Sequence, residues 1–444
     1  MAEQLTYQLL RDAVGGAAAA FRARLTLQPA GGPGDKVFPP TYAGAVYATE
    51  KRRLPGHGEP VECVLLDSVQ SQANRMEEAL QQAVDDGRIA LPVIEVDFTP
   101  YFPGDSQMED MRLLDPVGKI GSLQAPHRIA DAILRDSLLD GQRFRDSQVG
   151  RQLDRVSLRN ATPLFELCPT ALLFGMWDST GPKGGLGVKF ERAMVGEIVG
   201  VDATYGLRTA SRVDPIIRKN PPLYETKSGK WTALQSEALR QGPKDEPKEY
   251  PKKLSKLNLG SVTPDFVRYS SKSITPENRE TVDVMLQDGD YIKGGRVSPG
   301  GVTISHAEQT LVISLPAVRR LRFPVDEQHS RERDVAGRTV LAALGLLAAA
   351  LADEAGLDLR SRCLLYPEQD LTWELLDRRK GGGFTLPADQ AIDVFKEAVQ
   401  AAKAAGLPWR DAPVVLTPSE QLVKLVVKSQ QLAAQQSGDA EESK

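Results

Sequence analysis

Cysteine is scarce in this chain: three residues in 444, Cys63, Cys168 and Cys363, far apart and without a CxxC pair. That spacing argues against a zinc site and a disulfide framework, and fits a reducing compartment. The four histidines are equally scattered. His127 follows Pro126 with no second histidine near it, so it reads as a structural residue or a phosphate contact, not a metal ligand. Long apolar runs are missing too. The longest, residues 340–352, has 13 residues, too few to span a bilayer, and suits a buried helix. The first residues, MAEQLTYQLLRD, lack the basic start of a secretory signal. A cytoplasmic protein is expected. Basic excess is absent as well, with a net charge of −4, so any surface for a polyanion must come from segregated charge. What remains is a globular composition, 41% hydrophobic and 26% charged, enough for one large elaborated domain or two to three ordinary ones.

The chain is organised around residues 170–202, TALLFGMWDSTGPKGGLGVKFERAMVGEIVGVD. The apolar run 171–177 reads as a strand ending at Asp178, and 188–201 as a second strand. Between them lie Ser179, Thr180 and four glycines, Gly181, Gly184, Gly185 and Gly187, with Lys183, Lys189 and Arg192 around them. Glycines leave backbone amides accessible, and amides with cations suit a polyanion. No Gly-Lys-Ser/Thr closes a Walker A loop, and no helix opens on the third glycine as a dinucleotide fingerprint needs. A glycine hairpin with solvated lysines is the plain alternative.

Elsewhere, residues 4–20 read as a short helix and 21–27 as an alternating strand. Residues 31–60 form a long Gly/Pro-rich loop insertion carrying Lys51, Arg52 and Arg53. Residues 61–84 read as one amphipathic helix with Leu65, Val69, Met76 and Leu80 at helical spacing. Its polar flank holds Gln70, Asn74 and Arg75, amides that suit a sugar or phosphate, or else a solvated face. Residues 91–98 read as a strand, and 121–169 as a helical insertion of mixed charge. Arg208 and Arg212 precede residues 218–256, where ten Lys/Arg against five Asp/Glu and five prolines suggest an exposed basic arm, not a core element. Lys293 and Arg296 sit beside a Gly-Gly pair in 288–324, which is strand-like. Residues 331–355 read as a long apolar helix, 357–365 as a strand, 387–405 and 419–435 as helices, and 436–444 as a disordered acidic tail.

Four segments in one order carry a family resemblance: LLDSVQSQANRMEEAL (65–80), PHRIADAILRDS (126–137), the 170–203 stretch, and GGVTISHAEQTLVISLPAVRRLRF (300–323). Together they resemble the Cas-seven backbone subunits of the RAMP superfamily, in the type I-G (formerly I-U) CRISPR Cascade effector. The resemblance implies an α+β fold with an RRM-like, ferredoxin-like palm. Residues 1–120, 170–217 and 300–435 would supply the palm, 121–169 a helical finger insertion, and 218–299 a basic arm or thumb. It implies a binding protein, not an enzyme, that polymerises head-to-tail along CRISPR RNA without regard to sequence and presents its bases to target DNA. Its partners would be the guide RNA, further copies of itself, the large subunit and a fused cap and processing subunit, with no cofactor, metal or membrane. On that footing the RNA-contacting candidates are Lys51, Arg52, Arg53, Gln70, Asn74, Arg75, Trp177, Ser179, Thr180, Lys183, Gly184, Gly185, Lys189, Arg192, Arg208, Arg212, Lys293 and Arg296. The rival is an endoribonuclease of the same superfamily, metal-dependent or not, for which Asp178 and Asp202 flanking the central loop are the candidates. A third possibility is a small-nucleotide-binding domain using the glycine loop.

Overall fold

Strict alternation from Phe21 to Leu27 builds the strand at the middle of the molecule. In the computed structural model, which describes residues 3–43, 46–102, 109–180, 187–217, 219–266, 299–378 and 381–442, helix α1 (Tyr7–Gly15) leads into β1 (Ala20–Pro29). The chain continues through β2 (Thr49–Arg52), β3 (Val61–Asp67), α2 (Val69–Asp85), α3 (Pro169–Phe174), β4 (Met176–Trp177), β5 (Lys189–Phe190) and β6 (Met194–Val201). After these come β7 (His306–Ser314), α4 (Arg331–Ala355), β8 (Leu364–Pro367), β9 (Thr372–Leu376), β10 (Gly382–Thr385), α5 (Ala388–Ala404) and α6 (Glu420–Glu442). The chain divides into two compact units, residues 1–40, 47–204 and 302–425, and residues 41–46, 205–301 and 426–444.

The first unit is α+β and holds a ten-stranded mixed sheet with the path β10-β9-β1-β7-β6-β3-β2, Glu3–Gln4 beyond β10, and β8 paired to β1. Along β9-β1-β7-β6 every neighbour is antiparallel. Helix α2 precedes β6 in the chain, α4 follows β7, and the two helices pack on each other. One sheet face presents Phe21, Ala23, Leu25 and Leu27 of β1 with Leu311 and Ile313 of β7, all buried. The other face carries Arg22 and Arg24, paired at 2.5 Å to Glu374 and Glu308. A buried polar node joins α2 to the sheet: Gln72 donates to Asp67 at 2.7 Å and accepts from Gln309 at 2.8 Å.

Helix α4 occupies the bounds expected from its composition. It is long and apolar enough to cross a membrane, but 89% of its apolar window is buried inside the protein. Each fully buried Leu, such as Leu341, Leu344 and Leu347, contributes roughly 1.5–3 kcal/mol by leaving water. Close approach to the sheet requires Gly345, because a Cβ there would lie 3.0 Å from Ile313 Cδ1 and 3.1 Å from Met194 Sδ.

Several expectations are corrected. Residues 61–84 are not one helix. The first seven form β3, between β6 and β2, and α2 starts only after Ser68, whose Oγ accepts from Ser71 N. The run 171–177 is not a strand. Pro169 opens a helix there, and Gly175 at φ 87° ends it, leaving a two-residue strand. Residues 121–159 hold little helix. They form the turns Arg128–Ala130, Phe144–Asp146 and Gly150–Arg155 and one four-residue helix, Ala132–Arg135, with positive φ at Arg128, Asp140 and Gly141 interrupting them. Residues 357–365 break into Leu357–Asp358 and the start of β8 around Arg362 at φ 60°. The basic segment in the second unit has a core of its own: Leu223, Leu254 and Leu257 are buried with Ile217, Trp231 and Tyr250 packed on them. Helix α6 continues through Glu442, where a structureless tail was expected.

We predict that Gly345→Leu destabilises the fold by about 1–3 kcal/mol through overpacking, read as a lower urea midpoint. An unchanged midpoint would contradict the close approach of α4 to the sheet.

Candidate functional site

The β4–β5 hairpin stands beside the N-terminal half of α2 because a glycine corner turns the chain there. A side chain at Gly175 would put its Cβ 3.0 Å from the Phe190 carbonyl oxygen and 3.1 Å from Arg192 Cγ. Trp177 and Lys189 oppose each other across this hairpin, and Trp177 is 57% exposed. Two clefts adjoin here. One of about 640 Å³ is bordered by Gln70, His127, Trp177, Lys189 and Arg192. The other, of about 630 Å³, is bordered by Gln70, Asn74, Glu78, Gln124 and Arg192. Arg128 lies between them and borders both.

Arg128 is the support of this arrangement. Its Nε and Nη2 donate to the two Glu77 carboxylate oxygens at 2.7 Å each, and its Nη1 donates to the Gly175 carbonyl at 2.9 Å. The two side chains are 11% and 3% exposed. Burial pushes the Glu77 carboxyl above its ordinary range, while Arg128 beside it pulls the other way. Asp178 extends the hairpin, its N–H donating to the Val188 carbonyl at 3.0 Å. It is buried, ion-paired to Arg145 Nη1 at 2.9 Å, and accepts from Thr180 N at 3.3 Å.

Of the residues singled out in the sequence, Gln70, Asn74, Trp177, Lys189 and Arg192 converge on these clefts, and Ser179 and Thr180 are exposed just after Asp178. Arg75 turns away: it donates to Asp67 Oδ2 at 3.0 Å and to the Leu359 carbonyl at 2.6 Å. Lys51 and Arg52 belong to the edge strand of the sheet and Arg53 follows it, with Arg52 paired to Glu197 at 2.9 Å and also to Glu50. In the second unit Arg208 is exposed, whereas Arg212 donates to the carbonyls of Leu259 and Gly260. Lys183, Gly184, Gly185, Lys293 and Arg296 lie outside the described residues.

Sequence reasoning missed Glu77 and Arg128 as a pair. The available signal was an acid at Glu77, next to Met76 and three residues before Leu80, at the edge of an apolar helix face. The two carboxylates considered for cleavage chemistry are both engaged, Asp178 by Arg145 and Asp202 by the Ser305 hydroxyl at 2.8 Å. Among the described residues, no three of His, Cys, Asp and Glu gather as a metal-ligand set.

Fold and clefts thus define an α+β protein with a cationic, aromatic-edged cleft beside an amide-bearing helix face. Residues 21–205, which contain both clefts and make up less than half of the chain, match the family model of CRISPR-associated protein GSU0053. That match supports a CRISPR-associated protein with a role in CRISPR defence. No curated protein matches the chain.

Glu77→Ala is predicted to cost about 3–5 kcal/mol, because it strands a buried guanidinium. The double variant Glu77→Leu/Arg128→Met should recover much of that loss in chemical denaturation. A double variant as unstable as the sum of its single changes would mean that the ion pair is not the source.

Proposed function

We propose that this chain is a CRISPR RNA-binding backbone subunit of the Cas-seven type, from a type I-G (formerly I-U) Cascade. The observation that carries the proposal is the convergence of Trp177, Lys189, Arg192, Gln70 and Asn74 on adjoining clefts within the matched segment. Cations neutralise phosphates whatever the bases are, and an exposed indole stacks on any base, so the contact is sequence-independent. The antiparallel order β9-β1-β7-β6, with α2 before β6 and α4 after β7, supports an RRM-like palm.

RNA-recognition sheets of the usual kind stack bases on aromatics of the central strands. Here the open face of β1 offers Arg22, Arg24, Thr26 and Gln28, with both arginines ion-paired. We therefore put the RNA in the clefts at the end of α2, not on the sheet. Bases left free there pair with target DNA. Further copies add head-to-tail, a heterologous contact that builds an open filament. The large subunit and the fused cap and processing subunit bound it in the cytoplasm. The chain then acts as a scaffold with no catalytic step of its own.

Lys189→Glu/Arg192→Glu is the test, with RNAs of unrelated sequence titrated over a salt series. Affinity should fall for all of them alike, and the log–log salt slope should flatten by about 0.7 for each lost phosphate contact. Unchanged binding and slope would refute the cleft as the RNA site.

A further inference from the structure

Helix α2 carries five side-chain amides, and they divide into two groups. Gln72 donates to Asp67 at 2.7 Å, Gln81 to Asp85 at 2.9 Å and Gln82 to Asp86 at 2.9 Å. Gln70 and Asn74, four residues apart and both exposed, hydrogen-bond to none of the described residues. These two are also the ones that border the clefts beside the β4–β5 hairpin.

The clefts differ in charge. Arg128, offset by Glu77, and Arg192 border both, and Lys189 and Glu191 border only the one at the hairpin. The one that runs along α2 past Asn74 is edged by the carboxylates of Glu78 and Asp85. At that carboxylate edge a phosphate meets like charge, and a neutral polar group does not. An amide offers a donor and an acceptor together, and so does a ribose 2′-hydroxyl. We propose that Gln70 and Asn74 hold ribose 2′-hydroxyls, so that this cleft distinguishes RNA from DNA while the neighbouring cations hold the phosphates. The inference rests on the RNA-binding function proposed above. It assigns the preference for ribose to two uncharged side chains, separate from the charged ones that supply affinity.

The test uses the full chain, a labelled RNA of mixed sequence, and single-stranded DNA of the same sequence, each over a salt series. The wild type should bind the RNA more tightly. Gln70→Ala/Asn74→Ala should lose about tenfold on RNA, keep its affinity for DNA, and keep the salt slope of the wild type. Neither amide has a partner among the described residues, so the melting temperature should stay at the wild-type value. The near-isosteric Gln70→Glu/Asn74→Asp, which removes the donors and adds charge, should lose more on RNA. Equal losses on RNA and DNA, a flattened salt slope, a loss that depends on base identity, or no loss at all would each overturn the assignment. A wild type that binds RNA and DNA equally sinks this inference alone. A wild type that binds neither takes the proposed function with it.

Discussion

The buried pair between Glu77 and Arg128 is the constraint on which the site depends. Two ions removed from water cost several kcal/mol each, and their attraction offsets this only when every hydrogen-bonding site is filled. Here the guanidinium meets both carboxylate oxygens and the Gly175 carbonyl, so three separate pieces of chain close on one side chain. Helix α2 supplies the acid, the turn at Arg128–Ala130 the base, and the corner after α3 the carbonyl. Arg128 adopts φ 53° to reach them, a conformation disfavoured for a side chain with a Cβ. The hairpin bearing Trp177 and Lys189 starts at that corner, so its place beside α2 follows from the pair.

Helix α2 answers two demands with one periodicity. Ala73, Met76, Leu80 and Ala83 face the core, while Gln70, Asn74 and Glu78 fall on the opposite side and line clefts. Between the two lie Glu77 toward the site and Arg75 toward the Asp67 node. Asp67 is fully buried and takes Gln72, Arg75 and Arg360, which commits Arg75 to the interior of the fold. An arginine on a polar helix flank is therefore no measure of a free cation.

The legibility of the fold followed the clarity of its periods. Alternation in β1 and the unbroken apolar length of α4 identified both elements, and the bounds Arg331–Ala355 came out as read. Where a run is apolar on all sides the period carries no information. That is why Ala171 to Trp177 reads as a strand; Val61 to Asp67 joins the helix that follows it because Leu65 falls at helical spacing with Val69 and Met76. In each case a single residue marks the true boundary: Pro169 opening α3 and Ser68 capping α2. In the site, exposed Gln70, Asn74, Trp177, Lys189 and Arg192 were singled out by their residue types beside a glycine-rich loop or on the polar flank of a helix, a pattern that a solvated surface also shows. The Glu77–Arg128 pair joins residues 51 positions apart, and local spacing cannot show such a contact.

Charge pairing bears on where a chain of net charge −4 could meet an anion. On the open sheet face Arg22, Arg24 and Arg52 each sit against a glutamate, and in the second unit Arg212 serves two carbonyls. Those cations are already neutralised or desolvated, and recruiting them to a phosphate means breaking an existing contact. Lys189 and Arg192 are exposed and paired with no carboxylate among the described residues. Their field reaches an incoming anion undiminished by a partner, within a screening distance of about 8 Å at physiological salt. Total basic content therefore says little about where a polyanion would lie on this protein. What matters is which cations are left without a partner, and Lys189 and Arg192 at the hairpin beside α2 are two of these among the described residues.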